Sequence, residues 1–153
     1  MRFSNFTNLC YIIKENGKIL LQFKEKGFSQ GKWNGPGGKV EVEETLEESV
    51  KREVEEETGI TVKNLIKMGE LEFIFKGKKK WNNYCHVFIC YEFFGEPENK
   101  GEGELRWFAK EDLPFDKMWA DDKHWLPDVL NGRFIKKRFY FDQGGNLINH
   151  INL

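Results

Sequence analysis

Residues Gly38–Ile60 constrain this chain more than any other stretch. They read GKVEVEETLEESVKREVEEETGI. Thr45, with Glu48 three positions on, forms a capping box and predicts a helix that starts at Leu46. Leu46, Val50 and Val54 recur every four residues and mark its buried face. Gly59 suits the left-handed residue that ends a helix. At about 100° per residue, Glu48, Lys51 and Glu55 turn to solvent, Glu57 falls inside the apolar arc, Glu53 beside it, and Glu56 one step further round. Three carboxylates spaced i, i+3 and i+4 therefore meet at the edge of the buried face. Like charges so placed repel, and a cation has to compensate.

An acidic helix is ordinarily a solvated one laced by salt bridges. A glutamate on the core side argues otherwise here. Clustered carboxylates are hard oxygen ligands suited to Mg²⁺ or Mn²⁺. The preceding Gly35-Pro36-Gly37-Gly38 lets backbone approach an ion or a phosphate closely.

Taken whole, the segment is G-x5-E-x7-R-E-U-x-E-E-x-G-U, with U apolar. This pattern resembles the Nudix box of enzymes that hydrolyse nucleoside diphosphates linked to another group. Two further stretches resemble the oxidised-purine nucleoside triphosphatase, MutT-like branch. One is Lys24-Glu25-Lys26-Gly27-Phe28 with Gly31-Lys32-Trp33-Asn34-Gly35. The other is Trp107-Phe108, then Leu113-Pro114-Phe115, then Met118-Trp119-Ala120-Asp121-Asp122 and Trp125.

The resemblance implies Mg²⁺, replaceable by Mn²⁺, held by the Gly38 carbonyl, Glu53, Glu56, Glu57 and a distal acid. Glu102 matches that acid best, with Glu104 its rival. Arg52 would orient Glu53 or a neighbour, and Glu44 would support the shell. Lys24 would meet phosphate. Asn34, Trp119, Asp121 and Asp122 would read the base between the apolar walls of Phe28, Phe73 and Phe75. A purine offers a π face and a polar edge, which such residues can stack on and hydrogen-bond. Trp119 also suits a core position, and Asp122 suits a helix N-cap. Ala120 and Pro36 depart from the branch's Pro and Phe, and Asn83 stands about where a Met closes the pocket.

The implied reaction is hydrolysis of a damaged purine nucleoside triphosphate to monophosphate and pyrophosphate. Two alternatives stay open: another nucleotide substrate, such as a nucleotide sugar or dinucleoside polyphosphate, and a non-catalytic ligand-sensing domain.

The remainder of the chain sets the frame. At 153 residues it predicts one domain, residues 1–153. A net charge of −1 gives no electrostatic footprint for a nucleic-acid polymer or a membrane. Lys76–Lys80 reads as a solvated hairpin tip. Cys10, Cys85 and Cys90 lack metal-type spacing and read as reduced thiols, which fits a cytoplasmic monomer or homodimer. Strands are expected at Leu9–Ile13 and Ile19–Phe23, joined as a hairpin through Asn16-Gly17. Others are expected at Leu71–Phe75, Tyr84–Phe94, Leu105–Phe108, Phe134–Phe141 and Leu147–Ile151. A short helix is expected at His124–Leu130. The pattern is α+β, and the resemblance implies a mixed β-sheet sandwiched between α-helices.

Overall fold

The computed structural model describes residues 3–153. Ten strands and two α-helices follow in the order β1 (Asn5–Ile12), β2 (Ile19–Lys24), β3 (Trp33–Asn34), α1 (Leu46–Thr58), β4 (Thr61–Lys63), β5 (Ile66–Phe75), β6 (Asn83–Cys90), β7 (Glu92–Phe94), β8 (Gly103–Phe108), α2 (Leu126–Leu130), β9 (Ile135–Phe141) and β10 (Leu147–Asn152). The largest sheet runs β1-β6-β5-β9-β10 and is mixed, with β1 parallel to β6 and β5 parallel to β9. Two smaller sheets, β3-β2-β8 and β4-β7, are antiparallel.

Strand alternation sends neighbouring side chains to opposite faces, and β1 uses both. Cys10 and Ile12 pack with Val50, Val54 and Phe88 under α1. Tyr11 and Ile13 pack on the other side with Trp125, Leu126 and Val129 of the α2 region. The large sheet therefore lies between the two helices, as expected. Among the described residues no helix is long and apolar enough to cross a membrane.

The capping box of α1 forms in full, with Thr45 accepting from the Glu48 N–H and Glu48 returning to the Thr45 N–H. Gly59 closes the helix at φ 76°, a left-handed conformation that costs glycine nothing.

Two expectations are corrected. β1 and β2 turn through Asn16-Gly17 but do not pair as a hairpin: a single bridge joins Ile13 to Ile19, and the strands then part into different sheets. Both are buried on both faces, so each is better served by a separate partner, β6 or β8. The long strand expected at Tyr84–Phe94 breaks at Tyr91, and β7 turns to pair with β4.

Candidate active site

Residues of β1, β5 and β6, the loop before α1 and the segment Trp119–Asp122 enclose a cleft of about 740 Å³. The carboxylates of α1 lie beside one end of it, joined to its lining residues Lys24 and Gly37 through Glu57. Glu57 is nearly buried, and its two oxygens accept from the Gly37 N–H and from Lys24 Nζ, each at 2.8 Å. Burial raises the Glu57 carboxyl above its usual range, and Glu102 adds to this, while Lys24 and the Gly37 N–H act the other way. Glu53 is raised as well, first by burial and then by Glu57 and Glu56, with Arg52 opposing.

Arg52 is the hub of the cluster. Its Nε and one terminal nitrogen grip both oxygens of Glu44, at 2.6 and 3.0 Å. The other terminal nitrogen reaches Glu53 at 2.9 Å and Glu56 at 3.3 Å, and a further bond runs to the Lys39 carbonyl. The Arg52 grip and the Glu41 N–H hold the Glu44 carboxyl down at about 2. The compensating cation that the helix spacing demands is thus two residues, Arg52 within the helix and Lys24 from β2.

Five glutamates, Glu41 included, share those two cations, so the cluster keeps an excess of negative charge. A Cβ on Gly38 would lie 2.6 Å from the Glu53 carboxyl carbon, so only glycine lets that carboxylate sit against the loop. Hard oxygens in excess around a glycine cradle fit a divalent cation. Among the described residues no three His, Cys, Asp or Glu side chains already converge as a cage. They are turned onto Arg52 and Lys24 instead. The Gly38 carbonyl itself accepts from the Asn8 N–H at 2.9 Å, which leaves one lone pair free. Of the two rival distal acids, Glu102 lines the cleft, whereas Glu104 is half-exposed and bonded to Arg106.

The other end of the cleft is aromatic and acidic. Asp121 and Asp122 are both buried. Asp121 accepts from the Trp125 indole N–H at 2.7 Å, while one oxygen of Asp122 has no partner. Neither caps a helix through its side chain. Burial pushes Asp122 well above the usual carboxylate range, and the neighbouring Asp121 pushes it further. Burial raises Asp121 too, but the Trp125 donor holds it back.

Trp119 donates to Ser29 Oγ at 3.0 Å, and Phe28 lies nearly parallel to it, centroids 5.1 Å apart. Phe75 stacks on Phe141, and Phe73 on Phe139. Asn34 lines the cleft with its carbonyl oxygen held by the Gly35 N–H. The structure thus brings Lys24, Phe28, Asn34, Gly38, Phe73, Phe75, Glu102, Trp119, Asp121 and Asp122 onto one cavity, while Arg52, Glu53, Glu56 and Glu57 do not line it. It also adds Thr7, Ser29 and Trp81, for which the sequence offered no signal. His86, with no role expected, stays outside this cleft.

Comparison with known proteins agrees with this geometry. The NUDIX domain model matches residues 6–129. The chain is 41% identical over 140 residues to the oxidized purine nucleoside triphosphate hydrolase of Danio rerio, covering 90% of this chain and 86% of that protein. To the mouse (Mus musculus) protein of the same name it is 33% identical, covering 91% and 88%. The crystal structure of a mutator MutT protein from Bacillus halodurans superposes with a TM-score of 0.86 at 31% identity, covering 96% of each chain.

Proposed function

The chain belongs to the NUDIX family, and on that premise we propose that it hydrolyses oxidised purine nucleoside triphosphates to the monophosphate and pyrophosphate. One observation carries the substrate choice: a buried, partly unpartnered carboxylate pair and a stack of aromatic rings share a single cleft with Lys24 and Gly37, the two residues bonded to Glu57 of the carboxylate helix. A damaged purine at one end puts its phosphates at the other. The names of the zebrafish and mouse relatives support the same substrate class. We read the chain as one domain, since the closing β9–β10 hairpin completes the sheet that builds the cleft.

Mg²⁺ would be held by Glu53, Glu56, Glu57, Glu102 and the Gly38 carbonyl, with Mn²⁺ able to substitute. When bound it supplies neutralisation of the phosphate charge and a more acidic water. The chain's own residues do the rest. Arg52 fixes the Glu53 carboxylate through a charge-assisted bond and is itself fixed by Glu44. Lys24, 20% exposed while bonded to Glu57, is placed to turn toward an incoming phosphate. Trp119 offers its face to the base, and Asn34 a donor and an acceptor to its edge. Asp122, holding its proton, donates where Asp121 accepts. Water is kept from the base end by the aromatic walls.

A screen of pyrophosphate release tests this. It would use 8-oxo-dGTP, 2-hydroxy-dATP, dGTP, dATP, ADP-ribose and a dinucleoside polyphosphate. The oxidised purines are expected to give the highest kcat/KM. A higher value for ADP-ribose or the dinucleotide would overturn the substrate choice.

A further inference from the structure

The turn between β5 and β6 brings a residue to the cleft that no motif marks. Trp81 ends the short 3₁₀ turn Lys79–Trp81, directly after the lysine run, and its ring is 37% exposed. It stands edge-on to Phe28, centroids 5.0 Å apart, and edge-on to Phe75 at 5.6 Å. Phe28 stacks on Trp119, and Phe75 meets Trp119 edge-on at 6.1 Å. The four rings therefore close a box, each touching two or three of the others. Trp119 and Phe75 rest on the core, whereas Phe28 and Trp81 do not.

The turn is held at several points. Asn82 accepts from the Phe75 N–H at 2.7 Å, and the Asn5 amide donates to the Lys80 and Asn82 carbonyls at 2.7 and 3.0 Å. The Asn83 amide donates to the Trp81 carbonyl at 3.0 Å, and its oxygen accepts from Thr7. Lys78 Nζ lies 4.0 Å from the Trp81 ring centroid and steadies the indole by a cation–π contact. So many bonds converging on three residues pre-organise an exposed indole at the cleft wall. Asn83, meanwhile, spends its amide within the turn, so Trp81 supplies the apolar closure.

We propose that Trp81 is a specificity-determining residue for the base, the pre-organised fourth wall of an aromatic box. Phe28 lies nearly parallel to Trp119 and covers one face of its ring. A base that takes this face must push Phe28 aside, and Trp81 stands behind it. A two-ring base recovers contact with the displaced Phe28 and with Trp81; a one-ring base displaces Phe28 for less contact. This rests on the reading of the cleft as a purine pocket.

Binding without catalysis tests it. Calorimetric titration with 8-oxo-dGMP and with dCMP, metal absent, would compare the native protein with Trp81→Ala and Trp81→Phe. The native protein should favour 8-oxo-dGMP. Trp81→Ala should lose about 10-fold of that affinity while dCMP binding stays the same, and Trp81→Phe should recover most of the loss. With 8-oxo-dGTP as substrate, Trp81→Ala should raise KM and leave kcat within about two-fold, because a wall that acts on binding alone does not touch the reacting phosphorus. A native preference that survives Trp81→Ala overturns this inference alone, and so does an equal loss for both nucleotides. A native protein that binds the two alike overturns the purine reading and this inference with it.

Discussion

Glu56 and Glu57 are adjacent, yet their surroundings differ. The Glu56 side chain is 61% exposed and touches only Arg52, at 3.3 Å, whereas that of Glu57 is 6% exposed and fully bonded. Glu56→Gln should therefore abolish turnover at almost no cost in stability, since an exposed i,i+4 pair is worth about 0.3–0.5 kcal/mol and its loss relieves repulsion. Glu57→Gln should lose turnover and also about 1–3 kcal/mol, because Lys24 is left without its charged partner. Steady-state kinetics with urea denaturation separates the two; near-normal turnover of a folded Glu56→Gln would remove that residue from the chemistry. Asp122 makes a second residue-scale case. Its folded carboxyl holds a proton well above the range of an unfolded Asp, about 3.9. Stability from this group is complete below that unfolded value and is lost as pH rises through the folded one. Asp122→Asn mimics the protonated form, so it should match the native melting temperature near pH 4 and exceed it near pH 8. It should also shift the kcat/KM ratio of 8-oxo-dGTP to 2-hydroxy-dATP by about 10-fold, the equivalent of one hydrogen bond of about 1.4 kcal/mol. An unchanged ratio in both Asp121→Asn and Asp122→Asn would show that the pair does not read the base.

At the scale of elements, the junction of the glycine loop with α1 decides where the carboxylates point. The helix is fixed at both ends by its capping box and Gly59, so Glu53 can only be displaced from the loop side. Gly38→Ala would set a methyl 2.6 Å from the Glu53 carboxyl carbon. That carboxylate must swing away, and the Arg52 bond at 2.9 Å goes with it. Turnover should fall by at least about 10-fold, while stability changes by less than about 2 kcal/mol, as the clash is with the end of one flexible side chain. Full activity in Gly38→Ala would mean that Glu53 need not lie against the loop.

At the scale of the molecule, the cleft joins two ends of like sign. Glutamates in excess over Arg52 and Lys24 gather at one and the buried aspartates at the other, and the mutual repulsion of the glutamates is what a bound cation relieves. Ligands that bind the folded state alone stabilise it by mass action. Removal of divalent ions with EDTA should abolish hydrolysis, and Mg²⁺ or Mn²⁺ should restore it. The same ions should raise the native melting temperature and raise it far less in Glu56→Gln. Full activity in metal-free buffer would defeat the metal-assisted reading.

What the sequence determined is what short-range periodicity can hold. The capping box, the Leu46-Val50-Val54 stripe, the end at Gly59 and the inward turn of Glu57 all follow from helical geometry over a few residues, and the structure has each of them. The motif resemblance extended this to a residue set of which the fold gathers ten on one cavity, with Arg52, Glu53, Glu56 and Glu57 off its lining. Tertiary structure decided the partners. That Lys24 meets Glu57, 33 positions away, depends on how β2 lies against α1. That Glu102 and not Glu104 lines the cleft depends on the turn before β8, where the Glu102 carbonyl accepts from the Glu25 N–H. The Asn16-Gly17 turn was legible, but the separation of β1 and β2 into two sheets was not, because each strand's preference for β6 or β8 rests on burial of both its faces. Trp81 was hidden for the same reason. A lysine run reads as a solvated tip, and only the pairing of β5 with β6 shows that the residue ending it stands beside Phe28. Local sequence sets the direction of a side chain within its own element, while long-range packing chooses what that side chain meets.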